Sequence, residues 1–206
     1  MAIVITVAQQ KGGTGKTTLA ANLAAALAPS RKVALLDIDP QHSLTRWHDL
    51  RPKTAVKLTF SDVSGWRVTS ELNRLKAAHD VVVVDSPPQI DTDARLAIRG
   101  ASLVLIPVQP SPPDVWAAEG TLKLAAVEKR RSAMVLNRVP SSGKLRATMT
   151  TLLQRDGKPL LTATVGNRTG FAIAFAEGLA VTETAPRSIA ANELRALLNE
   201  VLEMIG

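Results

Sequence analysis

Cysteine is absent from the 206 residues, which excludes a disulfide scaffold, a cysteine-ligated zinc site and an iron–sulfur cluster. Tyrosine is absent as well, and aromatic residues make up only 3% of the chain, too few for a single-strand-binding surface built on base stacking. No apolar run approaches the ~20 residues needed to span a bilayer. The first residues, Met1 to Val7, lack the basic start of a signal peptide, so the expected compartment is the cytoplasm. Internal repeats and low-complexity linkers are missing too. The expectation is one domain, residues 1–206.

The chain does contain abundant core material, 46% hydrophobic against 21% charged residues, far from a disordered composition. Its formal net charge is +7, and the excess is local. Residues 123–168 hold ten basic and two acidic side chains, while the remainder is close to neutral. Such a stretch suggests a polyanionic partner, most simply nucleic acid, or else a set of solvated helix faces.

Short apolar runs alternate with amphipathic stretches throughout. Ala2–Ala8, Lys32–Asp37, Val81–Asp85, Leu103–Val108 and Ala133–Asn137 read as buried strands, with Leu160–Val165 and a weaker Val56–Phe60 as further ones. Helical patterns cover Thr17–Ala28, Trp66–Ala78, Asp93–Gly100, Val115–Glu128, Lys144–Arg155 and Ile189–Ile205. Alternation of this kind predicts an α/β fold with a mostly parallel, twisted sheet and helices on both faces. The last helix carries Leu194, Leu197, Leu198, Val201, Leu202 and Ile205 on one stripe with glutamates elsewhere. A membrane-surface helix would place lysine or arginine beside that stripe, so packing on the domain is expected and no membrane contact. His42 and His48 lack a nearby third ligand and read as surface residues; Trp47, Trp66 and Trp116 could fill core gaps or anchor a partner.

The sharpest signal is Lys11-Gly12-Gly13-Thr14-Gly15-Lys16-Thr17-Thr18, which follows the first strand and opens the first helix. That context is what a phosphate-binding loop requires. The glycines let backbone N–H groups face phosphates, and the helix adds its positive end. Lys16 is expected at the β- and γ-phosphates and the Thr17 hydroxyl on Mg²⁺. The usual pattern would have glycine at position 10, where this chain has Gln10 and then a second lysine, Lys11.

This loop, with Lys11, resembles the deviant Walker A loop of the ParA/MinD ATPases. Asp37-Ile38-Asp39-Pro40-Gln41 resembles the family's switch I, and Val81–Asp85 followed by Ser86-Pro87-Pro88 its Walker B strand and switch II. Leu105–Pro110 resembles the strand after switch II. The likeness covers essentially the whole chain and weakens beyond about Asn137. It implies a P-loop ATPase using ATP and Mg²⁺, in which the loop from Gly12 to Thr18 holds the phosphates and Thr17, Asp39 and Asp85 serve the metal. Asp39 is the candidate for orienting the attacking water, with a helix cap or metal-shell carboxylate as its alternative roles, and Asp37 is expected to tether the loop or the metal shell. Lys11, Lys16 and Asp39 form the candidate catalytic set; from sequence alone Lys11 could equally be a solvent-facing charge, and the resemblance implies that it crosses to the partner subunit's nucleotide. Asn137 and Gly166-Asn167-Arg168 resemble the walls of the base pocket.

The resemblance further implies a homodimer with ATP that binds DNA non-specifically, associates with the nucleoid and answers to a ParB-like or cargo-adaptor protein. Candidate phosphate contacts are Lys129, Arg130, Arg131, Lys144, Arg146, Arg155, Lys158 and Arg187, with Arg195 as a further possibility. The likeness is to short ParA proteins without an operator-binding arm. The function expected is an ATP-hydrolysing switch, slow without its partner, that segregates or positions a plasmid, chromosome region or protein cargo. The alternatives are an amide ligase of the same superfold (cobyrinic acid or dethiobiotin synthase-like), a MinD-like positioning ATPase, and a DNA-coating protein with a vestigial site.

Overall fold

The computed structural model describes residues 2–89, 91–141 and 143–206, without the side chains of residues 143 and 144. Seven strands form one sheet: β1 (Ile3–Val7), β2 (Val33–Asp37), β3 (Thr59–Asp62), β4 (Val81–Asp85), β5 (Leu103–Val108), β6 (Arg131–Val139) and β7 (Leu160–Gly166). Their order is β3-β2-β4-β1-β5-β6-β7 and every pairing is parallel. The central strands β2, β4 and β5 are buried along their whole length, as the unbroken Val/Leu/Ile runs require of a sheet covered on both sides.

Alternate residues of each strand serve the two faces. Ile5, Val7, Leu35, Val83 and Leu105 point to one side, where they meet α1 (Lys16–Leu27), α2 (Ser43–Asp49), α7 (Thr169–Ala176), α8 (Val181–Thr184) and α9 (Ile189–Ile205). Val4, Leu36, Val82 and Val84 point to the other, with Ile106 and Leu136 further along the sheet. They lie under α3 (Arg67–Ala78), α4 (Thr92–Gly100), α5 (Pro112–Val127) and α6 (Gly143–Arg155). The apolar stripe of α9 packs as expected, with Leu194, Leu197, Leu198 and Val201 buried, and no described helix is long and apolar enough to cross a membrane. Trp47 is a core residue. It is fully buried, and its indole N–H donates to the Leu179 carbonyl at 3.2 Å. Trp66 and Trp116 are 84% and 66% exposed. His42 is half-exposed beside Asp62, and His48 stacks on Phe60 at 4.4 Å.

This order fixes where a ligand can sit. The chain leaves β1 toward β4, β2 and β3 on one side and later fills β5, β6 and β7 on the other. β1 is therefore the point where the winding reverses, and loops at the carboxyl ends there leave a crevice. The phosphate-loop sequence occupies that crevice.

Candidate active site

Residues 8–15 connect β1 to α1 without regular structure. Gly15 caps α1 with φ +90°, and no side chain satisfies the first N–H groups of the helix. Those donors are the anion site that the loop offers. A Cβ at Gly15 would stand 2.5 Å from Asn137 Nδ2, so both the backbone and the space require glycine. Asn137 is buried and donates to the Thr14 carbonyl at 2.7 Å. Gln109 donates to the Gly13 carbonyl at 3.1 Å, and the Gln10 side chain fills the niche over Gly120. Three elements far apart in sequence thus fix the loop before any nucleotide arrives.

Two contiguous clefts meet at Gly15, Thr18 and Arg138. One, of about 260 Å³, runs over Gly12, Gly13, Lys16 and Thr17 to Asp39 and Pro88. The other, of about 270 Å³, lies between Asn137, Gly166–Arg168 and Phe171. The first is polar and the second has apolar walls in Val165 and Phe171, dimensions and chemistry suited to phosphates and a base.

Lys16 is buried, with Nζ 3.4 Å from the Lys11 carbonyl. Burial lowers its pKa, and the Asp85 and Asp39 carboxylates oppose that drop. Asp85, at the end of β4, is wholly buried. Neither of its carboxylate oxygens has a well-formed hydrogen-bond partner among the described residues. Burial pushes its pKa up to about 8; the Asp37 and Asp39 charges add to the rise, while Thr17 and Lys16 counter it. An unpaired buried carboxylate is costly in an isolated chain and is what a cation site needs.

The two switch I carboxylates do different work. Asp37 accepts from the backbone N–H of Asp39 at 3.0 Å and from both the N–H and hydroxyl of Thr45 at 2.9 Å. Burial raises its pKa against those three hydrogen bonds. It is a tether. Among the described residues the Asp39 carboxylate accepts only from the Gln41 N–H, at 2.9 Å, and it lines the first cleft. It does not cap α2, whose N-cap is His42 at φ +53°.

Arg168 lines the base cleft but is held by Glu193 through Nε at 2.8 Å and Nη2 at 2.5 Å. Lys11 turns to Asp114 of its own chain, Nζ to Oδ2 at 2.7 Å. Among the described residues no group of three or more His, Asp or Glu side chains is arranged to hold a metal by itself. Sequence reasoning missed Arg138, which lines both clefts from a positive φ of 53°, and Phe171. Its position directly after Asn137 was the one available signal for Arg138.

The basic stretch does not fold into a single patch. Lys129, Arg130 and Arg131 stand at the turn into β6, at the end of the sheet opposite the phosphate loop; Arg131 donates to the Met204 carbonyl at 2.5 Å. Arg155, near Asp156, and Lys158, paired with Glu119, lie toward the same end. Arg146 is exposed beside Gly166 and Arg168, and Arg187 is exposed ahead of α9. The Lys144 side chain lies outside the described residues.

Comparison with known proteins agrees with this geometry. The model of the CobQ/CobB/MinD/ParA nucleotide-binding domain matches residues 5–181. The chain belongs to this ParA/MinD family. One ParA/MinD relative, the maintenance of carboxysome distribution protein A of Halothiobacillus neapolitanus, is 36% identical over 98% of this chain and 97% of its own. Among solved structures, the MinD cell division protein of Aquifex aeolicus superimposes with a TM-score of 0.84 at 20% identity, covering 98% of this chain and 97% of that one. The ATP complex of a Cyanothece McdA aspartate-to-alanine variant gives 0.80 at 19% identity, with 97% and 96% covered. The ParA/MinD fold is thereby shared over the whole sheet.

Proposed function

We propose that this chain is an ATP-hydrolysing switch that dimerises on ATP, rides on non-specific DNA and positions a large protein cargo of the carboxysome kind. The observation carrying this reading is the pairing of a complete phosphate loop with Lys11 immediately ahead of it, in a chain whose carboxysome-distribution relative matches it end to end. Lys16 and the amides of Gly12–Thr18 would neutralise the phosphates. Two oxygen donors suit a hard divalent ion: the Thr17 hydroxyl, which lines the cleft, and the carboxylate of Asp85 buried beside it. Bound Mg²⁺ would supply charge neutralisation between the phosphates.

Asp39, fixed by a single backbone hydrogen bond, would accept a hydrogen bond from the attacking water and set its line of approach. Asn137 and Arg168 would wall the base. Asp37, anchoring switch I to Thr45, would transmit the state of the site to α2. Lys11 would reach the partner subunit's nucleotide and make dimerisation depend on ATP. The exposed cations would contact DNA phosphates without reading sequence, so two copies on one duplex bind far better than one. A cargo adaptor would stimulate turnover and release the dimer.

Duplex co-sedimentation across a salt series, with ADP or a non-hydrolysable ATP analogue, tests this directly. Retention with the analogue only, falling steeply with salt, is expected. Turnover that needs a small carboxylate substrate and ignores DNA would instead identify a ligase of the same superfold.

A further inference from the structure

The Lys11–Asp114 pair is not required by the sheet, and phosphate binding does not use it. The two residues are 103 positions apart, and their exposures are unequal: 43% for the Lys11 side chain and 4% for that of Asp114. Asp114 lies in the first turn of α5, where a carboxylate is favoured. Its backbone N–H and its Oδ2 both meet the Ser111 hydroxyl, which accepts from the first and donates to the second. Its Oδ1 is buried with no partner among the described residues. Among the described residues Lys11 is therefore the cation paired with this buried group, and the ammonium is held toward α5.

We infer that Asp114 is a positioning residue that latches Lys11 in the single subunit, so that the lysine reaches a second subunit's nucleotide only when this pair opens. The inference rests on the role proposed above for Lys11. When the ammonium leaves, Asp114 keeps only the Ser111 hydroxyl, and an uncompensated buried carboxylate opposes the change. The incoming phosphates must outcompete it. The latch weakens dimerisation with either nucleotide by the same factor; a γ-phosphate brings more charge than the diphosphate end of ADP, so ATP overcomes that cost at protein concentrations where ADP does not. Without it, the lysine would be free to meet either.

Sedimentation velocity on the full chain tests this, with wild type, Asp114→Asn, Lys11→Ala and the double variant, each with ADP or a non-hydrolysable ATP analogue over a range of protein concentrations. Asp114→Asn is expected to lower the analogue-dependent dimer dissociation constant about tenfold, the scale of one charge-assisted hydrogen bond, and to make an ADP dimer detectable. In the Lys11→Ala background the same substitution should change nothing. Asp114→Glu keeps the charge at the helix start but alters the reach. It should shift the dimer the same way by less, and it serves if the asparagine variant does not fold. An unchanged or weaker dimer in the Asp114 variants, or an equal gain without Lys11, overturns the latch while leaving the proposed function standing. A wild type that stays monomeric with the analogue overturns both.

Discussion

Replacing Asp85 with asparagine should stabilise the nucleotide-free protein while removing its response to Mg²⁺ and ATP. The carboxyl of Asp85 has an ordinary value of 3.8 and is pushed to about 8 in the fold by burial. Between those two values the folded chain carries a proton that the unfolded chain has shed, so stability falls as pH rises and levels off above about pH 8. Each pH unit is worth about 1.4 kcal/mol. The advantage of Asp85→Asn over wild type should therefore widen by as much as ~4 kcal/mol between pH 5 and pH 8. Asp37, whose pKa burial also raises, and Lys16, whose pKa burial lowers, are present in both proteins, and the measured gap includes the coupling of Asp85 to both. Urea unfolding at a series of pH values, without nucleotide or metal, measures the gap. Adding Mg²⁺ and ATP at pH 8 should then raise the melting temperature of the wild type and not of the variant. A gap that does not change with pH, or a variant less stable than wild type throughout, would refute the claim that Asp85 is an unpaired buried carboxylate awaiting a cation.

Two other substitutions probe how the site is held. Arg51 pairs with Glu183 at 2.5 Å, donates to the Gly178 carbonyl and lies 5.2 Å from the Trp47 ring centre; Arg51→Ala should cost about 1.5–3 kcal/mol, because the half-buried Glu183 keeps only the Ala180 N–H as a partner, read by chemical denaturation. Asn137→Ala removes the hydrogen bond to the Thr14 carbonyl; a loss of about 1–2 kcal/mol with several-fold weaker nucleotide binding is expected by calorimetry, and unchanged affinity would mean that the loop needs no support from β6.

The parts of this fold that announce themselves in sequence are those set by local chemistry. Five buried strands are visible because their Val, Leu and Ile runs admit no other reading in an alternating chain, and the phosphate loop because glycines and lysine at that spacing serve one purpose. The edge strand lies later than its weak pattern over Val56–Phe60 predicts: it runs over Thr59–Asp62, whose place is set by pairing Ser61 with Leu36 and Asp62 with Asp37 rather than by its own residues. Three helices gave no signal. The helix over Ser43–Asp49 starts from His42 without a side-chain cap, Thr169–Ala176 lacks both cap and charge, and Val181–Thr184 is a single turn. Contiguity in sequence did not carry over to the surface, since the strands and helices of the basic stretch take successive cations to opposite ends of the sheet. At the site, Asp39, Asp85 and Lys16 could be named from motifs, but Asp114 could not, because its pairing with Lys11 depends on β1 lying beside β5.

The central claim is that two subunits share each nucleotide through Lys11. Light scattering of wild type and Lys11→Ala with ADP, then with a non-hydrolysable ATP analogue, tests it most directly. The account predicts a wild-type mass that doubles with the analogue alone, and a Lys11→Ala protein that binds the analogue yet stays at 21.9 kDa. A Lys11→Ala protein that doubles its mass as readily as the wild type would contradict it.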